Sequence, residues 1–171
     1  MFMFLISKGA ETLEGENIGS GRIDPAAGTG VPRAQTELET AMLDACREQE
    51  EWPAQIAAGI NAGIDFVIAR PEAAQTLIMR PGEGPERWRY ERIIGRLAGF
   101  LRVNAPPRPP LPLLTDEALV GGLVGLVGDH IRVDRLDRLS QLRSELVLFT
   151  LLPYLGFEEA QRWTTLTSRG P

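Results

Sequence analysis

Residues 118–130 read ALVGGLVGLVGDH, with glycines at 121, 122, 125 and 128 among Leu and Val and no proline to end the run. Each glycine inside a helix costs about 1 kcal/mol relative to alanine. On a helical wheel the run has two unlike faces. Leu119, Val120, Leu123, Val124, Leu126, Val127, His130 and Ile131 form one broad arc, and Ala118, Gly121, Gly122, Gly125, Gly128 and Asp129 form the other. The bulky arc suits the subunit's own core. The small arc lets another backbone come close, because no side chain stands in the way. The same steric logic underlies small-residue stripes in membrane helices. Here the apolar run is only eleven residues, 118–128, too short to span a bilayer.

The next helix, 136–155, is also two-faced. Leu139, Leu142, Leu146, Phe149 and Pro153 step by three and four, as in a heptad seam, while Val147, Leu151, Tyr154 and Leu155 lie on another side. Two neighbouring helices, each apolar on two sides, offer more apolar surface than one small bundle needs. The economical arrangement is a four-helix bundle made by these helices from two copies. The alternative is a buried helix pair within one larger subunit. The expected contact set is Ala118, Gly121, Gly122, Gly125, Gly128, Asp129, Leu142, Leu146, Phe149 and Pro153.

The remaining pattern is helical throughout, and no segment alternates as a strand over a useful length. Residues 7–33 are glycine-rich without period, so 1–33 reads as a flexible leader and 34–171 as one domain. Helices are expected at about 35–50, from Pro53 to before Pro71, at 71–79 and at 85–104, with a polar helix trailing at 158–165. Thr115 is read as the N-cap of the glycine-bearing helix, with Asp116 and Glu117 in its first turn. The segment APPRPPLPLL (105–114) forms an extended connector, and Gly156 ends the last long helix. The fold class is therefore all-α, an antiparallel bundle of about six helices.

Composition narrows the function. The net charge is −5, which argues against direct contact of this chain with nucleic acid. One cysteine, Cys46, and one histidine, His130, leave no internal disulfide and no zinc cluster, and suit a reducing cytoplasm. Cys46 reads as a small buried helix residue. The start, MFMFLISKG, lacks a basic n-region and a small-residue cleavage site, so it is not read as a signal peptide. Cys46 with His130 is the one conceivable nucleophile–base pair and carries no family signature; Glu158 and Glu159 sit in a polar tail. The glycines do not spell G-x-G-x-x-G, and no strand precedes them. No catalytic residue, metal site or cofactor is assigned. The arginines at 80, 87, 89, 92, 96 and 102 are interleaved with Glu83, Glu86 and Glu91, and read as a solvated, partly paired face.

At this point the chain resembles a known family. An amphipathic helix pair leads to a short helix after an Arg-Pro break and then to a long arginine-rich helix. A proline-rich connector, LTDEALVGGLVGLV and finally LRSELVLFTLLPYLGFEEA follow. The motifs T-x-E-A-L-V-G-G at 115–122 and L-x-P-Y-L-G at 151–156 carry the likeness. Over about residues 36–160 this resembles the C-terminal regulatory domain of the TetR family of bacterial transcriptional regulators. The resemblance implies that the last two long helices pair two subunits and that the others enclose a small-molecule cavity. Members of that family begin with a helix-turn-helix domain, which residues 1–33 lack the length, recognition helix and basic charge to supply. The expectation is a sensor and dimerisation domain without its own DNA-binding head, from a truncated, decayed or late-started gene. It would act as a homodimer, or as a mixed dimer with a full-length relative, away from the membrane. A small apolar ligand would lie among Phe66, Met79, Tyr90, Ile94, Leu97, Leu123 and Val127, with Tyr90 and His130 as the polar groups. A structural protein that dimerises without any ligand is the alternative.

Overall fold

The computed structural model describes residues 30–78, 85–102, 105–106, 112 and 114–168. Among these residues there are seven helices and no strand: α1 (Gly30–Arg47), α2 (Trp52–Ala69), α3 (Pro71–Ile78), α4 (Pro85–Arg102), α5 (Leu114–Arg132), α6 (Leu136–Leu155) and α7 (Phe157–Ser168). The all-α expectation holds. Most of the leader lies outside the described residues, yet α1 begins at Gly30, inside the stretch assigned to it. Pro32 falls in the first turn, where its missing N–H costs nothing. The i,i+4 pairs Arg33–Glu37 (3.0 Å) and Gln35–Glu39 (2.9 Å) support that turn. At its other end α1 stops at Arg47, short of the expected 50. A tight turn takes over, in which the Gln49 amide bonds the Cys46 carbonyl and Gln55 Nε2 donates to the Gln49 carbonyl at 3.0 Å.

Helix α2 is the central rod. It is packed by α1, α3, α6 and α7, which accounts for its apolar character on nearly every side. Two apolar clusters run along it. At its N-terminal end Trp52, Ile56 and Ala57 meet Ala98 and Leu101 of α4, Leu119 and Val120 of α5, and Val147, Leu151, Tyr154 and Leu155 of α6. At its C-terminal end Ile64, Phe66 and Val67 meet Ala74 and Leu77 of α3, Val127 of α5, and Leu139 and Leu146 of α6. Ile60 touches both. The N-terminal end of α2 thus meets the C-terminal end of α6, so these helices run antiparallel, while α5 points the same way as α2.

Helices α5 and α6 form an antiparallel hairpin. Its tight turn needs Asp134 at φ 54°, a left-handed conformation that Asp adopts more readily than most residues. The Arg135 amide closes the turn onto the His130 carbonyl at 2.9 Å. Two expectations shift here. Helix α5 begins at Leu114, so Thr115 lies within its first turn instead of capping it, and the Thr115 amide bonds the Pro112 carbonyl at 2.8 Å. Gly156 does end α6, at φ 76°, and α7 follows at once, longer than the expected 158–165.

One glycine has an internal packing reason. A Cβ on Gly59 of α2 would stand 2.9 Å from Cys46 Sγ of α1, and that thiol donates to the Gln55 carbonyl at 3.1 Å. Gly59→Ala should therefore lower the unfolding free energy by about 1–2 kcal/mol, despite alanine's better helix propensity. In a Cys46→Ala background the same change should be neutral or stabilising. Urea unfolding of the four variants tests the cycle; a loss that persists without the thiol would count against this contact.

Candidate functional site

Three places carry chemistry or unusual exposure. The first is the outer face of the α5–α6 hairpin. Among the α5 glycines, Gly121 and Gly125 have no atom within 4 Å of an added Cβ, and at Gly122 the nearest is the Phe149 ring edge at 3.7 Å. Among the described residues nothing in one subunit therefore requires glycine at 121 or 125. Around them lie large apolar side chains left in solvent: Leu126 at 43% exposure, Phe149 at 45% and Leu152 at 40%. Val133 and Phe157 extend the exposed set.

Of the residues expected at a subunit contact, Ala118, Gly122, Gly125, Asp129 and Phe149 are exposed, and Gly121, Leu142 and Pro153 are half-buried. Gly128 and Leu146 are not part of the exposed face. Both are buried, and Leu146 belongs to the core around the C-terminal end of α2. Leu126 was placed on the core arc and instead lies outside, four residues beyond Gly122 and one turn before Asp129. The heptad seam of α6 divides in the same way: Leu139 and Leu146 face inward and Phe149 outward. The missed members of the face, Leu126, Leu152 and Val133, sit at i+3 and i+4 spacings from residues already assigned. That spacing was the available signal.

The second place is a polar knot joining three helices. Asp116, in the first turn of α5, is 5% exposed. Its Oδ2 accepts from Arg102 Nε of α4 at 2.6 Å, and its Oδ1 accepts a short hydrogen bond from the Tyr154 hydroxyl of α6. The Trp52 ring of α2 meets the Tyr154 ring edge-on, with centroids 5.0 Å apart. Burial drives the Tyr154 phenol pKa well above its ordinary value, and its hydrogen bond to Asp116 and that residue's negative charge push the same way, partly offset by Arg102. Sequence reasoning assigned Asp116 to the helix dipole alone, because nothing local announces partners 14 and 38 residues away.

Cys46 follows the same trend. Burial raises its thiol from 9.0 to about 11, so at neutral pH it is a buried, protonated group and a poor nucleophile. Both groups hold their protons more tightly folded than unfolded. Their contribution to stability is complete below about pH 9 and is lost as the pH climbs through the folded values. The unfolding free energy should fall between pH 9 and 11, with Cys46 contributing up to about 1.4 kcal/mol per pH unit. Cys46→Ala should flatten that part of the profile. An unchanged slope in the variant would remove Cys46 from the account.

The third place is the interior expected to hold a ligand. The described candidates fall into two groups. Ile94 and Leu97 pack on the cluster around Trp52, whereas Phe66, Leu123 and Val127 pack on the cluster at the other end of α2. Tyr90 is half-buried, and Met79 lies outside the described residues. His130 is half-buried, and its Nδ1–H donates to the Leu126 carbonyl at 2.9 Å, a bond within its own helix. Of the arginines weighed above, Arg96 pairs with Glu39 at 3.1 Å and Arg102 with Asp116. Trp52, which sequence reasoning passed over, is 8% exposed, and its Nε1–H has no hydrogen-bond partner among the described residues. Among the described residues no group of three metal-ligating side chains occurs, and no helix is long and apolar enough to cross a membrane.

No protein-family model matches the chain, and neither a curated protein nor a solved structure matches it.

Proposed function

We propose that the chain is the ligand-sensing and dimerisation domain of a TetR-type transcriptional regulator, pairing two copies through α5 and α6. The observation that carries this reading is the helix cost of Gly121 and Gly125, where no described residue comes within 4 Å of an added Cβ. A helix interior that gives up about 1 kcal/mol per glycine needs a return. Among the described residues no atom of the same subunit supplies it, and Leu126, Phe149 and Leu152 lie exposed on the same hairpin. A second copy provides both halves of the fit: a small stripe that admits a close backbone, and apolar side chains that need cover. Two hairpins related by a twofold axis close into a four-helix bundle with no surface left to propagate.

Regulation follows from the connectivity. Helix α5 touches α3, α4 and α6, so a ligand that changes how α4 and α5 pack also changes the hairpin that joins the subunits. The TetR assignment rests on the two sequence motifs, and the pairing on the glycines. Light scattering coupled to size exclusion tests the pairing: twice the mass of 18.8 kDa is expected at micromolar concentration. A chain that stays at single mass at high concentration would end this reading.

A further inference from the structure

We infer that helix α4 is a hinged flap: its body, residues 85–97, detaches from α1 and α5 and unwinds while the rest of the bundle stays folded, with its last turns, Ala98 to Arg102, as the pivot. The inference needs neither a ligand nor a second copy. Burial is shared unevenly among the helices. Helices α2 and α6 bury seven residues each. Among the side chains described on α4, residues 90–102, only Ala98 and Leu101 are buried. Both join the cluster around Trp52, and beside them Arg102 Nε meets the buried Asp116 at 2.6 Å. That end is anchored. Before it, Tyr90, Ile93, Ile94 and Leu97 are half-buried, and Glu91, Arg92, Gly95 and Arg96 are exposed. Among the described helices, α5 alone packs closely on α4. A further tie, to α1, is the ion pair of Arg96 with Glu39 at 3.1 Å, which water reaches. A segment with few buried contacts and solvent-reached ties opens before the body that supports it.

The amino-acid order weakens the same stretch. Gly95 lies in the body of α4 and Gly99 one turn on, at the junction with the pivot. An added Cβ at either meets nothing within 4 Å. Each glycine makes the helix several-fold easier to unwind than alanine would. The glycines of α5 stand beside exposed Leu126 and Phe149, whereas among the described residues of α4 no large apolar side chain is exposed. Close approach of a twin therefore does not account for the α4 pair, and ease of unwinding does. Opening bares the side of α5 that α4 covers. It leaves the core around α2 and α6 in place, since the buried members that α4 lends to that core belong to the pivot.

Native-state hydrogen exchange on the full chain, followed amide by amide in urea well below the unfolding transition, tests the flap. Amides of residues 92–97 should be protected at least about a hundredfold less than those in the middle of α2 and α6, with a shallower urea dependence than global unfolding. They should also be less protected than the Phe100 and Leu101 amides. Ordinary end fraying gives the opposite order, with mid-helix amides slowest. Gly95→Ala combined with Gly99→Ala should slow exchange at 92–97 by about ten- to thirtyfold. Arg96→Gln should speed it by about two- to fivefold. Amides 92–97 that match α2 and α6 in protection and urea slope would overturn the inference. So would mid-helix amides that are the slowest of α4, or no slowing in the double alanine variant. If Arg96→Gln does not fold, the unaltered chain and the alanine variant decide. Molecular mass measured on the same samples keeps this apart from the pairing: a dimer without the exchange pattern ends this inference only, and a monomer that shows it ends only the pairing.

Discussion

Gly125→Leu should turn a dimer into a monomer without harming the subunit. The position is exposed, and an added Cβ there meets no atom within 4 Å. Within one copy the change replaces a poor helix former with a good one, so unfolding of the isolated subunit should become harder by up to about 1 kcal/mol. Across a twofold interface the same side chain enters twice, at the place where two backbones come close. Overpacking of this kind costs about 1–3 kcal/mol per site. Counted for both copies, that raises the dissociation constant by at least about thirtyfold. Gly99→Leu is the matched control, because its added Cβ also meets open space but lies on the exposed side of α4. It should leave the dimer intact. Light scattering of the three proteins at equal concentration gives the answer. A Gly125→Leu chain that remains fully dimeric would place the contact elsewhere.

Asp116→Ala should be the most damaging single change to the fold itself. It removes the acceptor of the buried Tyr154 hydroxyl and breaks the Arg102 ion pair at 2.6 Å. Arg102 is half in solvent and can rehydrate, so most of the penalty belongs to the phenol and to the vacated volume. A loss of about 2–4 kcal/mol is expected, or a melting temperature lower by roughly 10 °C for a domain of this size. Tyr154→Phe should cost only about 1 kcal/mol, because Asp116 keeps Arg102. The two together should cost less than the sum, since they remove a shared bond. Equal effects of the two single changes, or a loss under 1 kcal/mol for Asp116→Ala, would show that the knot contributes little.

These two experiments probe opposite sides of α5, and the difference shows where sequence reasoning reached and where it stopped. Helix positions were legible because proline and glycine punctuate this chain strongly. Pro53, Pro71, Pro85 and Gly156 fall at or beside helix ends. The spacing of Ile56, Ile60, Ile64, Val67 and Ile68 marks the inward side of α2; Ile56, Ile64 and Val67 are buried there, while Ile60 and Ile68 are half-buried. The divided character of α5 was legible as well, though Leu126 fell on the wrong side. A wheel fixes which residues share a face, but where the core boundary cuts the wheel depends on how far neighbouring helices wrap around it. On α6 the same limit placed Leu146 outside, when α2 and α3 supply enough apolar surface to bury it.

Local periodicity, helix ends and the absence of strands follow from short-range sterics and hydrogen bonding, and the amino-acid order alone determined them. Tertiary structure decided the rest: that Asp116 joins three helices, that Gly59 makes room for a thiol while Gly125 makes room for no described residue of its own subunit, and that the Trp52 indole N–H is buried with no partner among the described residues. Each of these depends on distances between residues far apart in the chain, set by the packing of whole helices, and no local pattern of side chains encodes them.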